Sequence, residues 1–94
     1  MTDYPVTNNT ESKRFEIEID GKLAILEYMI HGKNILYTHT EVPEELSGRG
    51  LAHELAHTAM EFAKDQGYRV QAICPFVKMY VEKHPEYQSI TWGY

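Results

Sequence analysis

The stretch Ile35-Leu36-Tyr37-Thr38-His39-Thr40-Glu41-Val42-Pro43-Glu44-Glu45-Leu46-Ser47-Gly48-Arg49-Gly50-Leu51-Ala52 decides the fold. Residues 35–42 are rich in β-branched, aromatic and aliphatic side chains and read as a strand, which Pro43 ends because it cannot donate to a ladder. Glu44 to Gly50 make a glycine-containing loop. From Leu51 apolar residues recur at helical spacing as far as Gln66, and Gly67 is a natural stop. At about 100° per residue, Leu51, Leu55, Ala59 and Phe62 fall on one apolar stripe. His53 and His57 fall on the opposite face with Glu61 and Lys64, and are expected to point at solvent.

Working outward toward the N-terminus, Phe15, Ile17 and Ile19 alternate with Arg14, Glu16 and Glu18, the period-two signature of a half-buried strand. Asp20-Gly21 is a hairpin turn, residues 22–30 are the returning strand, and His31-Gly32-Lys33-Asn34 leads into the strand at 35–42. These three strands form an antiparallel meander. Residues 1–12 are polar and turn-rich and read as a flexible tail ahead of a domain at 13–94. Toward the C-terminus, Tyr68 to Cys74 reads as a strand, and a strand–helix–strand crossover of this length makes it parallel to the third. Pro75 starts a second helix through about Lys83, which Pro85 ends. The expected fold is α+β: a mixed sheet with two helices in the order β-β-β-α-β-α.

Composition narrows the function. A chain of 94 residues forms a single small core, so any active site is built from the core elements. Its net charge of −5 works against binding a phosphate backbone, which takes clustered Lys and Arg, so nucleic acid is not the expected partner. No apolar run approaches the roughly 20 residues that span a bilayer, which excludes a membrane-spanning helix. The start Met-Thr-Asp-Tyr-Pro lacks an apolar signal segment, so the cytoplasm is the expected location. Cys74 is the sole cysteine and makes no internal disulfide; it is a buried apolar residue or a reactive thiol.

Three groups of residues carry candidate chemistry. In the loop Ser47-Gly48-Arg49-Gly50-Leu51-Ala52, glycines ahead of a helix let backbone N–H groups converge where the helix dipole is positive, an anion cradle to which Arg49 adds a cation. The loop and Cys74 leave the sheet at the same carboxyl edge, where open sheets bind ligands. His39 and Glu41 share a face near the end of the third strand, and Cys74 precedes a helix N-terminus that favours a thiolate. A phosphate-bearing ligand would run from the glycine loop toward these three. The second group, His53-Glu54-Leu55-Ala56-His57, matches the zinc-protease pattern HExxH, but no third ligand follows at the extended motif's spacing and the two histidines face away from the apolar stripe. No bound metal is expected. In the second helix, Tyr80 is either core packing or a phenol aimed at the ligand.

Together these residues resemble a known family. Thr38-His39-Thr40-Glu41-Val42-Pro43, Ser47-Gly48-Arg49-Gly50-Leu51-Ala52, Cys74-Pro75-Phe76-Val77 and Tyr80 to Tyr87 look like the minimal single-domain branch of the GNAT superfamily of acetyl-CoA-dependent N-acetyltransferases, over roughly residues 13–90. The superfamily's pyrophosphate loop reads Gln/Arg-x-x-Gly-x-Gly/Ala; Gly50 and Ala52 fall on its last two fixed positions, and Ser47 stands at the first. The resemblance implies acetyl-CoA as cosubstrate and a small or protein amine as acceptor. It implies backbone donors at Glu41 and Val42 for the acetyl carbonyl and pantetheine, and pyrophosphate binding by Ser47, Gly48, Arg49, Gly50, Leu51 and Ala52. It makes Tyr80 the proton donor to the departing thiolate and Cys74 an active-site thiol; for such a transfer His39 or Glu41, at the end of the third strand, is the expected general base. Rival readings are a CoA-binding module with little activity and a zinc hydrolase using His53, Glu54 and His57.

Overall fold

A computed structural model describes residues 4–94. Five strands form one sheet in the order β1-β2-β3-β4-β5, with β1 Thr7–Asn9, β2 Arg14–Ile19, β3 Lys22–His31, β4 Asn34–Glu41 and β5 Arg69–Ala72. The pairs are antiparallel up to β4, and β4 and β5 are parallel. Helix α1 spans Leu51–Gln66 and α2 spans Pro75–Lys83, with 3-10 turns at Glu44–Leu46 and Pro85–Ile90. No helix among the described residues is long and apolar enough to cross a membrane.

The α+β architecture and its order are those expected, and local chemistry explains the boundaries. Asp20 and Gly21 both take positive φ, +53° and +77°, as a two-residue hairpin turn whose twist matches its strands requires. Gly67 closes α1 in the left-handed region, its N–H reaching the carbonyls of Ala63 and Lys64. Pro75 opens α2, where the missing N–H costs no helical bond.

Three expectations are amended. The segment taken as tail contains a strand: Asn8 accepts a 2.7 Å hydrogen bond from the Tyr28 hydroxyl, and Asn9 donates to Glu16 at 3.0 Å, so polar side chains rather than apolar alternation fix β1. Residues 1–3 of that tail lie outside the described residues. The last strand ends at Ala72 rather than Cys74, because the N–H groups of Ile73 and Cys74 both turn to the Tyr37 carbonyl, at 3.1 and 2.8 Å. In α1, Met60 joins Leu51, Leu55, Ala56, Ala59 and Ala63 in the buried stripe, while Phe62 is only half-buried.

Both helices lie on one face of the sheet. Phe15, Ile17, Ala24, Leu26, Ile35 and Tyr37 point from β2, β3 and β4 into a core with Leu55, Met60, Val77 and Val81. Each of these larger apolar side chains contributes about 1.5–3 kcal/mol by burial. The Tyr37 ring reaches through the core, and its hydroxyl donates to the Ala59 carbonyl of α1 at 2.6 Å.

Candidate active site

The parallel strands separate at their carboxyl ends. Pairing runs from Asn34 opposite Arg69 to Tyr37 opposite Ala72, after which β4 continues to Glu41 while the other chain turns into α2. Beyond Tyr37, β4 therefore has no strand neighbour on that side, and its backbone groups face an opening.

A β-bulge sets which side chains border this opening. Tyr28 pairs with Tyr37 but Glu27 pairs with His39, so Thr38 is an extra residue and the alternation of β4 reverses. Thr40, opposite Leu26, then turns to the helix side, where its Oγ1 lies 3.2 Å from Cys74 Sγ. His39 and Glu41 turn to the open face, with His39 Nε2 3.2 Å from Glu41 Oε1. The two do share a face, as the strand pattern indicates. It is opposite the face of Cys74, so the structure brings Cys74 together with Thr40 and leaves His39 and Glu41 across the strand. Cys74 is buried.

Above the opening sits the glycine loop. Buried Leu46 anchors the 3-10 turn, and both the N–H and the hydroxyl of Ser47 donate to the Glu44 carbonyl, at 3.1 and 2.8 Å. The Ser47 hydroxyl is thus occupied in closing the turn. Gly48 and Gly50 have φ of +82° and +75°, a region that only glycine enters freely. Gly50 caps α1, whose first bond runs from Glu54 N–H to the Gly50 carbonyl at 3.1 Å. The N–H groups of Leu51, Ala52 and His53 consequently have no acceptor within the helix, and they carry the positive end of its dipole. Below them a cleft of about 390 Å³ is lined by Val42 at the end of β4, Leu46, Gly48, Gly50, Leu51 and Phe76, with Ser47, Ala52 and His53 completing it. Arg49 is exposed and outside this lining.

His53 and His57 on the outer face of α1 are exposed, as the helical wheel indicates, though aromatic side chains border them. His53 stands edge-on to Phe76, ring centroids 5.1 Å apart. The Tyr87 hydroxyl donates to Glu61 Oε2 at 2.7 Å and lies 3.3 Å from His57 Nδ1, and the Tyr80 hydroxyl lies 3.5 Å from the same nitrogen. Aromatic side chains of α2 and the C-terminal 3-10 turn flank this face without burying its histidines, a tertiary contact that a wheel of one helix cannot show. Tyr80 itself is buried and stacked on His84 at 3.9 Å between centroids, outside the cleft lining. Burial pushes its phenol up, and Glu86, Glu54 and Glu61 add to the effect. The hydroxyl of Tyr87 conversely holds the Glu61 carboxyl below the usual range. No group of three His, Cys, Asp or Glu side chains gathers as a metal site among the described residues.

Sequence reasoning missed Thr40, Phe76 and His53 as neighbours of the opening. Phe76 follows Cys-Pro and was legible as a residue at the helix start; Thr40 was not, since nothing in Thr-His-Thr signals the bulge.

Comparison with known proteins agrees with this geometry. Residues 14–90 match the family model of the GCN5-related N-acetyl-transferases. Protein NATD1 of mouse is 31% identical over 83 residues, covering 85% of this chain and 76% of the mouse protein; the human protein is also 31% identical, over 85% and 74%. An NMR structure of a GCN5-like protein from Staphylococcus aureus superposes with a TM-score of 0.75 at 28% identity, covering 100% of this chain and 93% of that one. With its mixed sheet, its parted parallel strands and a glycine loop capping α1, the chain belongs to the GCN5-related N-acetyltransferase family.

Proposed function

We propose that the chain transfers an acetyl group from acetyl-CoA to an amine. The observation that carries this reading is a single cleft bounded by the glycine loop and Phe76 that begins where β4 loses its partner. Its parts suit the parts of the cosubstrate. The N–H groups at the start of α1 suit a pyrophosphate, the apolar wall of Val42, Leu51 and Phe76 suits the pantetheine arm, and the unpaired edge of β4 offers backbone donors to the thioester carbonyl.

In the reaction the amine nitrogen attacks the carbonyl carbon, a C–N bond forms, the C–S bond breaks, and the CoA thiolate takes up a proton. Positioning and polarisation of the carbonyl supply most of the catalysis. His39, oriented by Glu41, is the candidate base for the ammonium proton. Tyr80, a phenol protonated at neutral pH and pushed further up by burial, is the candidate acid for the thiolate. Cys74 borders the acetyl group as a wall or as a transient acyl acceptor.

An amide NMR titration with acetyl-CoA tests the reading, with the largest shifts expected over residues 48–52 and at Cys74. Cys74 is then also expected to be protected from iodoacetamide by the ligand. Shifts confined to β1 and β2, or none at millimolar ligand, would refute it. Release of free CoA thiol with added amines separates an enzyme from a module that only binds.

A further inference from the structure

Tyr80, Tyr87, Glu61 and His57 meet on the outer face of α1, and counting their hydrogens fixes which of them donates. Tyr87 has one hydroxyl hydrogen, and at 2.7 Å it goes to Glu61 Oε2, a carboxylate that can only accept. The Tyr87 oxygen therefore meets His57 Nδ1, 3.3 Å away, with its lone pairs, and that nitrogen carries the hydrogen between them. The Tyr80 hydroxyl reaches the same nitrogen at 3.5 Å. A nitrogen that donates leaves the Tyr80 oxygen as a second acceptor, so Tyr80 keeps its own hydrogen for another partner. Packing holds the arrangement in place. The Tyr80 ring stacks on His84 at 3.9 Å and on Tyr87 at 6.1 Å, and the Nδ1–H of His84 donates to the Tyr80 carbonyl at 2.7 Å. His57 is exposed, so water reaches the imidazole. One turn earlier on the same face His53 lines the cleft, its ring centroid 6.1 Å from that of Tyr80. The cluster thus lies between the cleft and solvent.

We infer that His57 returns to Tyr80 the proton that Tyr80 gives to the departing CoA thiolate. The inference rests on the acetyl-transfer reading, with Tyr80 as its acid, and adds the path by which that acid is recharged. The Tyr80 O–H bond breaks as the S–H bond of CoA forms. The phenolate then takes the hydrogen of His57 Nδ1, Nε2 takes one from solvent, and the exposed ring resets its tautomer by exchange with water. The proton that the amine gives to His39 leaves to solvent, so one proton enters and one leaves per turnover. Burial, with Glu86, Glu54 and Glu61, raises the Tyr80 phenol and makes it a reluctant donor. The Nδ1–H offsets this by bonding the phenolate as it forms. His57 touches no reacting atom and acts through Tyr80 alone.

The test follows release of the CoA thiol from acetyl-CoA, with spermine and with a lysine-containing peptide as amines, in the wild type, His57→Ala, His57→Asn and Tyr80→Phe. Acetyl-CoA affinity is measured in parallel. In His57→Ala, kcat is expected to fall about tenfold or more while acetyl-CoA affinity holds within about twofold, and added imidazole should restore most of the loss. Asparagine keeps an N–H near the place of Nδ1 but passes no proton, so His57→Asn should stay slow. Removing His57 in the Tyr80→Phe background should cost nothing further, since the two act as one unit. Long-range proton–nitrogen NMR of the wild type should find the hydrogen of the neutral His57 ring on Nδ1. A hydrogen on Nε2 instead, an unchanged kcat in His57→Ala, a loss that imidazole leaves untouched, or full activity in His57→Asn would each overturn the proposal. A wild type that releases no CoA thiol with either amine sinks the transferase reading and the relay with it, whereas turnover indifferent to His57 sinks the relay alone.

Discussion

At the residue scale the glycine loop separates two reasons for a glycine. A Cβ built on Gly48 or Gly50 meets nothing within 4 Å, so neither residue is required for lack of room. Each is required by its φ, since left-handed backbone costs an L-residue roughly 1–2 kcal/mol. Gly50→Ala should therefore lower the melting temperature by roughly 4–12 °C for a domain of this size, with Gly50→Asn losing less because asparagine tolerates this region better. Thermal unfolding by circular dichroism checks both. An alanine variant as stable as the wild type would mean that the loop relaxes and that its donors are not held in place.

At the element scale the helix α1 is held from two sides, by the core stripe and by the hydroxyls that reach its outer face. In Tyr87→Phe the Glu61 carboxyl loses its donor and should move back up toward the ordinary range, which a carbon-detected NMR titration reads directly. A carboxyl held low stabilises the fold above its ordinary range and loses that contribution as pH falls through the lowered value, so the variant should show a shallower loss of stability in acid. Legibility followed the same elements. Both helices were readable because Gly50, Gly67 and Pro75 punctuate them, and the meander because Asp20-Gly21 and strict alternation admit one register. The bulge at Thr38 was not, for its cause is tertiary: Tyr28 and Tyr37 must both fill the core, and the extra residue then lets Thr40 rather than His39 turn inward. The division of the candidate site into a Cys74 side and a His39 side follows from that bulge. The strand Thr7–Asn9 was likewise invisible, being held by asparagine side chains that no periodicity records.

At the scale of the whole molecule, a 94-residue chain gains its core from one face of one sheet, and the phenols inside that core link stability to alkaline pH. Burial pushes the Tyr37 phenol far up, with Tyr28 and Tyr68 adding to it, and burial with the Glu61 carboxylate does the same to Tyr87. A phenol raised in the folded state keeps its full contribution below its ordinary value of about 10 and loses it as pH climbs above that, because the unfolded chain ionises first. Wild-type melting temperature should thus fall steeply above about pH 10. Tyr37→Phe gives up the hydrogen bond to the Ala59 carbonyl, worth about 1 kcal/mol net, so at neutral pH it should melt roughly 4–8 °C lower. Its alkaline limb should nevertheless be shallower, since one of the phenols that must stay protonated is gone, and the two melting curves should converge as pH rises. Parallel limbs in the two proteins would show that Tyr37 ionises without unfolding the domain, and that the core admits more water around its hydroxyl than a fully buried ring allows.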